Sequence, residues 1–361
     1  MKSPAAQRLA DLLRSPFAAK LIGAMPEPAI LVGSDERVAA ANQLALDLAP
    51  GLRVSDALVL GLRAPDVNDG RRRVMASGEA ETVLWSERAP VERLFEVAIA
   101  PLTASDGEVV ATLITLRDQT EARRVERLRV DFIANASHEL RTPLASLIGF
   151  IETLQGAARD DPTARERFLA IMREQGRRMA RLIEDLLSLS HIEQKQHLRP
   201  EAVVDLAETA RSVVDALTPM ARDHGVEIRL SAPAPVLVAG DRDELLRVAE
   251  NLIENAIKYG VAADCETPGA VDVAVSATAK EGSLSVRDQG PGIAPEHLPR
   301  LTERFYRVDA AQSRAKNGTG LGLAIVKHIL ARHRGRLTIT SRLGQGSCFV
   351  ATLRLHPAAE P

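Results

Sequence analysis

Residues 131–143 read Asp131-Phe-Ile-Ala-Asn-Ala-Ser-His138-Glu139-Leu-Arg-Thr142-Pro143. Apolar residues recur around this stretch at Ile133, Leu140, Leu147 and Leu154, with Ala136, Leu144 and Ile151 between them. That spacing is one face of a helix. His138 and Thr142 stand four apart and share a second face, one turn from each other. Pro143 lacks an N–H and crowds the preceding turn, so a kink is expected just past the histidine. A lone helical histidine is more often structural than chemical, and the stretch takes its meaning from what surrounds it.

The chain has 361 residues, enough for two or three domains. A formal net charge of −2 gives no bulk electrostatic case for nucleic acid or membrane. Two cysteines, Cys265 and Cys348, provide no disulfide framework and fit a reducing compartment. No apolar run has the length of a membrane span: the best candidate, 21–33, is broken by Pro26, Glu27 and Pro28. No signal-peptide core is read at the N-terminus. The expectation is a soluble, cytoplasmic protein with no direct membrane span and no nucleic-acid partner, associated with a membrane only through another protein.

Residues 1–20 read as a short amphipathic helix with Leu9, Leu12 and Leu13 on its apolar side. In 21–118, short apolar runs (29–32, 81–85, 94–100, 109–116) are separated by polar turns, as strands of a mixed sheet with small helices between. An Ala29-Ile-Leu-Val strand, a helix bearing Asn42 and a closing Asp118-x-Thr120 resemble a PAS sensor domain; another α+β domain is the alternative. All eight histidines lie at or beyond His138, and the only aromatics of 21–118 are Trp85 and Phe95. The segment is therefore expected to bind no haem or flavin, and to serve dimer contact, protein–protein signalling or small-ligand sensing.

Residues 119–197 read as a helical hairpin: one helix from about 121 to 156, a polar break at 157–162, and a second helix to about 196. Met172, Met179 and Leu186 lie on one heptad line of the second helix, and Gln175, Leu182 and Leu189 on another. Two helices cannot bury such a stripe alone. A pair of hairpins can, as a four-helix bundle, so a homodimer is expected. Residues 198–357 alternate helical and strand patterns as an α/β sandwich, and 358–361 are a tail.

Short motifs follow in this last domain. Glu250-Asn251-Leu-Ile-Glu-Asn255-Ala-Ile-Lys258-Tyr259 lies on a helix, with Asn251, Asn255 and Lys258 on one face. Asp288-Gln-Gly290-Pro-Gly292 closes a strand, and Glu303-Arg304-Phe305-Tyr306-Arg307 begins a loop. Gly318-Thr-Gly320-Leu321-Gly322 opens a helix, and Gly344-Gln-Gly346-Ser347 precedes the last strand. Asp288 can accept the exocyclic amino group of adenine and would repel the O6 of guanine. Gly290 and Gly292 let the backbone approach the base closely. Asn255 offers a neutral amide oxygen to Mg²⁺, and Lys258 and Arg307 can offset phosphate charge. Read alone, Lys258 can also be a solvated helix charge and Arg307 a surface ion pair. Gly318, Gly320 and Gly322 lead into a helix N-terminus, an anion site, and make 308–317 a plausible mobile lid.

With these motifs in order, residues 121–357 resemble the catalytic core of a bacterial two-component sensor histidine kinase. The resemblance covers about two-thirds of the chain, and with the PAS-like domain it runs closest to the phosphate-regulon sensor kinases. It implies a multidomain α+β protein: a PAS-like mixed α/β sensor, an antiparallel hairpin forming a dimeric four-helix bundle, and an α/β sandwich that binds ATP with Mg²⁺. It implies that His138 is phosphorylated, that Glu139 assists its deprotonation, and that Thr142 positions water for phosphatase action on a response-regulator receiver domain. Asn251, Asn255, Lys258, Tyr259, Asp288, Gly290, Gly292, Phe305, Arg307, Gly318, Gly320, Leu321 and Gly322 fall in its ATP-binding motifs, with Asn255 at the metal position. Ser347 stands where threonine is usual, and the N-terminal membrane segment common in phosphate-type sensors is not read here.

Two rival readings remain. ATPases of the same fold carry a water-activating glutamate four residues before the metal asparagine, where this chain has Asn251. A non-catalytic dimeric scaffold would have no need of His138, Asn255 and Asp288 together.

Overall fold

The computed structural model describes residues 3–13, 15–87, 93–195, 197–260, 269–309 and 318–356. Cys265, the tail 358–361 and residues 310–317 of the expected lid lie outside them. The chain divides into two compact units at Asp131.

The first unit opens with α1 (Pro4–Leu13) and α2 (Pro16–Gly23), where one helix was expected over 1–20. Pro16 cannot continue a helix that precedes it but is well suited to starting one, with Ser15 extended at the cap position. Then come β1 (Ala29–Gly33), β2 (Val38–Ala41), α3 (Gln43–Leu48), α4 (Leu58–Gly61), α5 (Pro65–Ser77), β3 (Glu81–Glu87), β4 (Arg93–Thr103) and β5 (Val109–Asp118). The sheet runs β2-β1-β5-β4-β3. The expectation of a mixed sheet is corrected: all four strand pairs are antiparallel. Short links between β3, β4 and β5 permit only that direction, since parallel pairing requires a long crossover. Strand β2 has no signal in the sequence because a Val-Ala-Ala-Ala run is weakly β-forming.

Val67 and Val74 of α5 pack into a core with Ile30, Val97, Ile99 and Ile114 from the sheet. The Trp85 and Phe95 rings stack there with centroids 5.2 Å apart. Buried Asn42 caps α3 by accepting from Ala45 N, and also accepts from Ala29 N at the start of β1. At the other end, Asp118 accepts from Thr120 N (2.9 Å), and Thr120 Oγ1 accepts from Leu94 N (2.9 Å). These bonds tie the last two strands to the first turn of α6 (Thr120–Gln155).

The second unit holds the rest of α6 and α7 (Pro162–Gln194), which Asp161 caps through Thr163 N and Ala164 N. Helix α6 runs unbroken across Pro143, so the proline does not end it. Proline removes one donor there, and Thr142 Oγ1 donates to the His138 carbonyl (3.3 Å) in the same turn. Beyond α7 come β6 (Val203–Asp205), α8 (Leu206–Asp223), β7 (Val226–Ser231), β8 (Leu237–Ala239), α9 (Arg242–Tyr259), β9 (Gly269–Ala277), β10 (Glu281–Asp288), α10 (Gly322–Arg332), β11 (Arg336–Ser341) and β12 (Ser347–Arg354). The five-stranded sheet runs β11-β12-β10-β9-β7, with only β7 and β9 parallel. Helices α8, α9 and α10 cover it, each giving the core an apolar stripe, as with Leu245, Val248, Leu252 and Ile253 of α9.

The α7 stripe is divided between two uses. Leu182, Leu189 and Ile192 join the core beneath this sheet, where α7 packs on α10. Ile183 and Leu187, together with Ile133, Leu144, Ile148 and Ile151 of α6, stay exposed.

Candidate nucleotide and phosphotransfer site

A cavity of about 420 Å³ opens between α9, the end of β10, the glycine-rich turn before α10, and α7. Asn251, Asn255, Lys258 and Tyr259 line it from α9, as the one-face spacing requires. Asp288, Gly292, Arg307, Gly318, Gly320 and Gly322 line it as well.

Asp288 is 7% exposed. Its Oδ1 accepts from Gly290 N (3.0 Å) and Ser347 N (3.1 Å). Burial pushes the carboxyl above its ordinary range, against the pull of those two backbone donors. Both bonds fall on one oxygen, so the second is free to accept from a ligand. Three glycines make close backbone approaches in and beside this pocket. A Cβ on Gly346 (φ +81°) would lie 2.1 Å from the Asp288 carbonyl, and one on Gly290 2.6 Å from the Tyr259 carbonyl. A Cβ on Gly322 would sit 2.2 Å from Asn251 Oδ1, so α10 begins directly against the α9 asparagine.

Three of the expected nucleotide residues are placed elsewhere. Leu321 is fully buried in the core, where it anchors the glycine turn. Gly290 packs under Tyr259 without lining the cavity. Phe305 turns away, its ring 5.8 Å from that of Phe132 on α6. Its backbone takes a left-handed φ of +63° and its N–H donates to Gly320 O (2.8 Å), binding the two motifs together.

His138 is exposed on α6, and Thr142 follows one turn on. Glu139 Oε2 accepts from Arg178 of α7 (3.0 Å) and from Arg307 (3.0 Å), and a second Arg307 nitrogen reaches Oε1 at 3.4 Å. Arg307 is thus ion-paired, though not at the surface: its side chain is 8% exposed and its Nε is buried without a partner. Lys258 pairs with Glu254 one turn back, and Arg181 of α7 stands 4.0 Å from the same carboxylate.

Helix α7 is the contributor that the sequence did not disclose. Arg181, Glu184 and Asp185 form one wall of the cavity. Asp185 Oδ1 accepts from Arg247 (2.9 Å) and Oδ2 from Thr319 Oγ1 (2.8 Å). Further along, Glu193 pairs with Arg304, which lies over the Phe132 ring at 5.0 Å. Charged residues on a hairpin read as a solvated face until the fold brings a partner to them.

The donor set at Asn255 fits a metal that arrives with phosphate. The asparagine gives one neutral oxygen, and no group of three or more His, Cys, Asp or Glu side chains among the described residues could hold an ion alone.

Comparison with known proteins assigns the parts. Residues 240–357 match the histidine kinase-, DNA gyrase B- and HSP90-like ATPase family, 128–195 the His Kinase A (phospho-acceptor) domain, and 23–124 the PAS fold. By these matches the chain carries a PAS-fold segment, a phospho-acceptor segment and a histidine kinase-, DNA gyrase B- and HSP90-like ATPase segment. It is 43% identical over 251 residues to the phosphate regulon sensor protein PhoR of Pseudomonas aeruginosa, covering 68% of this chain and 54% of that one. It is 37% identical over 258 residues to the sensor-like histidine kinase SenX3 of Mycolicibacterium smegmatis, covering 71% and 65%. Among solved structures, the Acinetobacter baumannii histidine kinase AdeS is 26% identical with a TM-score of 0.47, over 60% of this chain and 98% of that one. The chain spans between about half and two-thirds of the length of these curated relatives.

Proposed function

We propose that this chain is a protein-histidine kinase that moves the γ-phosphoryl group of ATP to His138 and then to an aspartate of a response-regulator receiver domain. The observation that carries this reading is the cavity itself. The asparagine motif, buried Asp288 and the glycine turn meet in it, and the hairpin that bears His138 forms one wall. Asp288 would take the adenine amino group on its free oxygen. The turn at 318–322 would present backbone N–H groups to the phosphates at the start of α10. Asn255 would hold Mg²⁺ together with phosphate oxygens, and that ion supplies charge neutralisation on the transferred group.

Neutral His138 attacks phosphorus in line. The N–P bond forms, the bond to the ADP oxygen breaks, and the imidazole proton leaves toward Glu139. Glu139 is held by two guanidinium groups, and its Oε1 keeps acceptor capacity for that proton. Because Asn251 replaces a water-activating acid, histidine transfer is favoured over hydrolysis.

The exposed stripe of Ile133 (56%), Leu144, Ile148, Ile151, Ile183 and Leu187 (58%) supports a homodimer through a four-helix bundle. Residues 21–118 would act as the PAS sensor, 119–197 as the dimerisation and phosphotransfer hairpin, and 198–357 as the catalytic domain. Their signal would pass through Asp118 and Thr120 into α6 and change the packing of the bundle. No helix among the described residues is long and apolar enough to cross a membrane; we place the reaction in the cytoplasm because ATP is there. Likeness to PhoR makes phosphate signalling the first system to test.

The test is labelling with Mg-ATP followed by exposure to purified receiver domains. Rapid transfer to one of them is expected, and labelled chain that passes phosphate to none contradicts the two-component reading. Thr142 supplies a second check. Its hydroxyl lies one turn from His138, where it can hold an attacking water. Thr142→Ala is expected to keep autophosphorylation and to lower phosphatase activity toward the phosphorylated receiver about ten-fold or more, the scale of a lost polar contact to a reacting group. Equal loss of both activities would mean helix distortion.

A further inference from the structure

We propose that Asp185, on the phosphotransfer helix α7, sets the affinity of the nucleotide site by holding phosphate-binding groups in a closed arrangement that a triphosphate must displace. The proposal rests on the ATP-binding reading above.

Charge in the cavity is the first observation. Each of the four basic side chains that line it among the described residues faces a carboxylate: Arg247 faces Asp185, Arg307 faces Glu139, and Lys258 and Arg181 share Glu254. A site for a polyanion therefore has its cations already matched. Two of those partners, Asp185 and Glu139, are supplied by the hairpin and not by the nucleotide-binding sheet and helices.

The second observation is where Asp185 acts. Its Oδ2 accepts from Thr319 Oγ1, and the same hydroxyl accepts from Leu321 N (3.3 Å) in the turn that opens α10. Asp185 thus sits, as an anion, on the turn that phosphates would occupy, and its Oδ1 holds Arg247. Its side chain is 19% exposed, so neither solvent nor salt screens it fully. Phosphate oxygens and the Asp185 carboxylate would seek the same donors and repel each other. By linkage, docking of α7 weakens nucleotide binding by the same factor by which nucleotide weakens docking. Both the hairpin and the nucleotide site would then read one carboxylate.

The experiment measures the affinity of the full chain for a non-hydrolysable ATP analogue with Mg²⁺, by calorimetry, at low and at high ionic strength. Asp185→Asn keeps the shape of the side chain and an oxygen for Thr319 while removing the charge. It is expected to tighten binding about ten-fold at low salt, the size of one unit charge acting across a partly buried site, and by less at high salt. Asp185→Ala, which also releases Thr319 and Arg247, is expected to bind at least as tightly as Asp185→Asn. Thermal melting of both variants checks that they fold. Unchanged or weaker binding by folded Asp185→Asn overturns the proposal and makes Asp185 a support for the glycine turn. Failure of the ATP reading looks different: the unsubstituted chain then binds no nucleotide, and Asp288→Asn makes no difference.

Discussion

His138→Gln is expected to bring phosphoryl incorporation from ATP down to background. Glutamine keeps the length and polarity of the side chain at an exposed helical position, so α6 and its packing should persist. What it removes is the only side chain in the 131–143 stretch with a nucleophilic nitrogen lone pair, which the amide of Asn135 and the guanidinium of Arg141 lack. Nucleotide affinity should stay within about two-fold, because His138 is not among the residues lining the cavity proposed to hold adenine and phosphate, and distant sites act independently. Phosphate counting on purified protein and calorimetry with an ATP analogue check the two halves. Robust labelling of His138→Gln would remove the histidine from the reaction.

Asn255→Ala is the second large effect. The side chain lies on the cavity face of α9, one turn from Asn251. Removing its amide oxygen should lower Mg-ATP-dependent labelling about a hundred-fold, the upper end of the cost of losing a metal-site group. It should also erase the difference in nucleotide affinity measured with and without Mg²⁺. The proposed dimer should be unaffected, since α9 contributes nothing to the exposed stripe of α6 and α7. Sedimentation checks this, and dissociation of the variant would show Asn255 to be structural.

Much of this architecture could be read from residue order. The heptad spacing around His138 and the apolar stripe of 242–259 placed α6 and α9 almost to the residue, because long amphipathic helices repeat their signal many times. Asp288, Gly292 and the glycine turn were legible because close backbone approaches admit few residue types, as the clash distances at Gly322 and Gly346 show. Shorter signals failed. Strand β2 is an alanine run, and the break between α1 and α2 rests on a single proline.

The α7 wall of the cavity was illegible for another reason. Asp185 and Arg181 sit at polar helix positions that suit water equally well, and only tertiary docking brings Thr319, Arg247 and Glu254 to them. Arg307 shows the same limit. Its charge fits a phosphate, and its structural partner is Glu139, the acid next to His138.

That pairing and the shared cavity make one claim: nucleotide bound by α9, Asp288 and the glycine turn delivers its γ-phosphoryl group to the hairpin. The most direct measurement is to incubate the full chain with γ-labelled Mg-ATP, digest it under alkaline conditions and locate the label by mass spectrometry. A single modified site is expected, the imidazole of His138, with a phosphoryl group that is lost in acid and survives alkali. Label on any other side chain, or steady release of inorganic phosphate with no labelled protein, would contradict it.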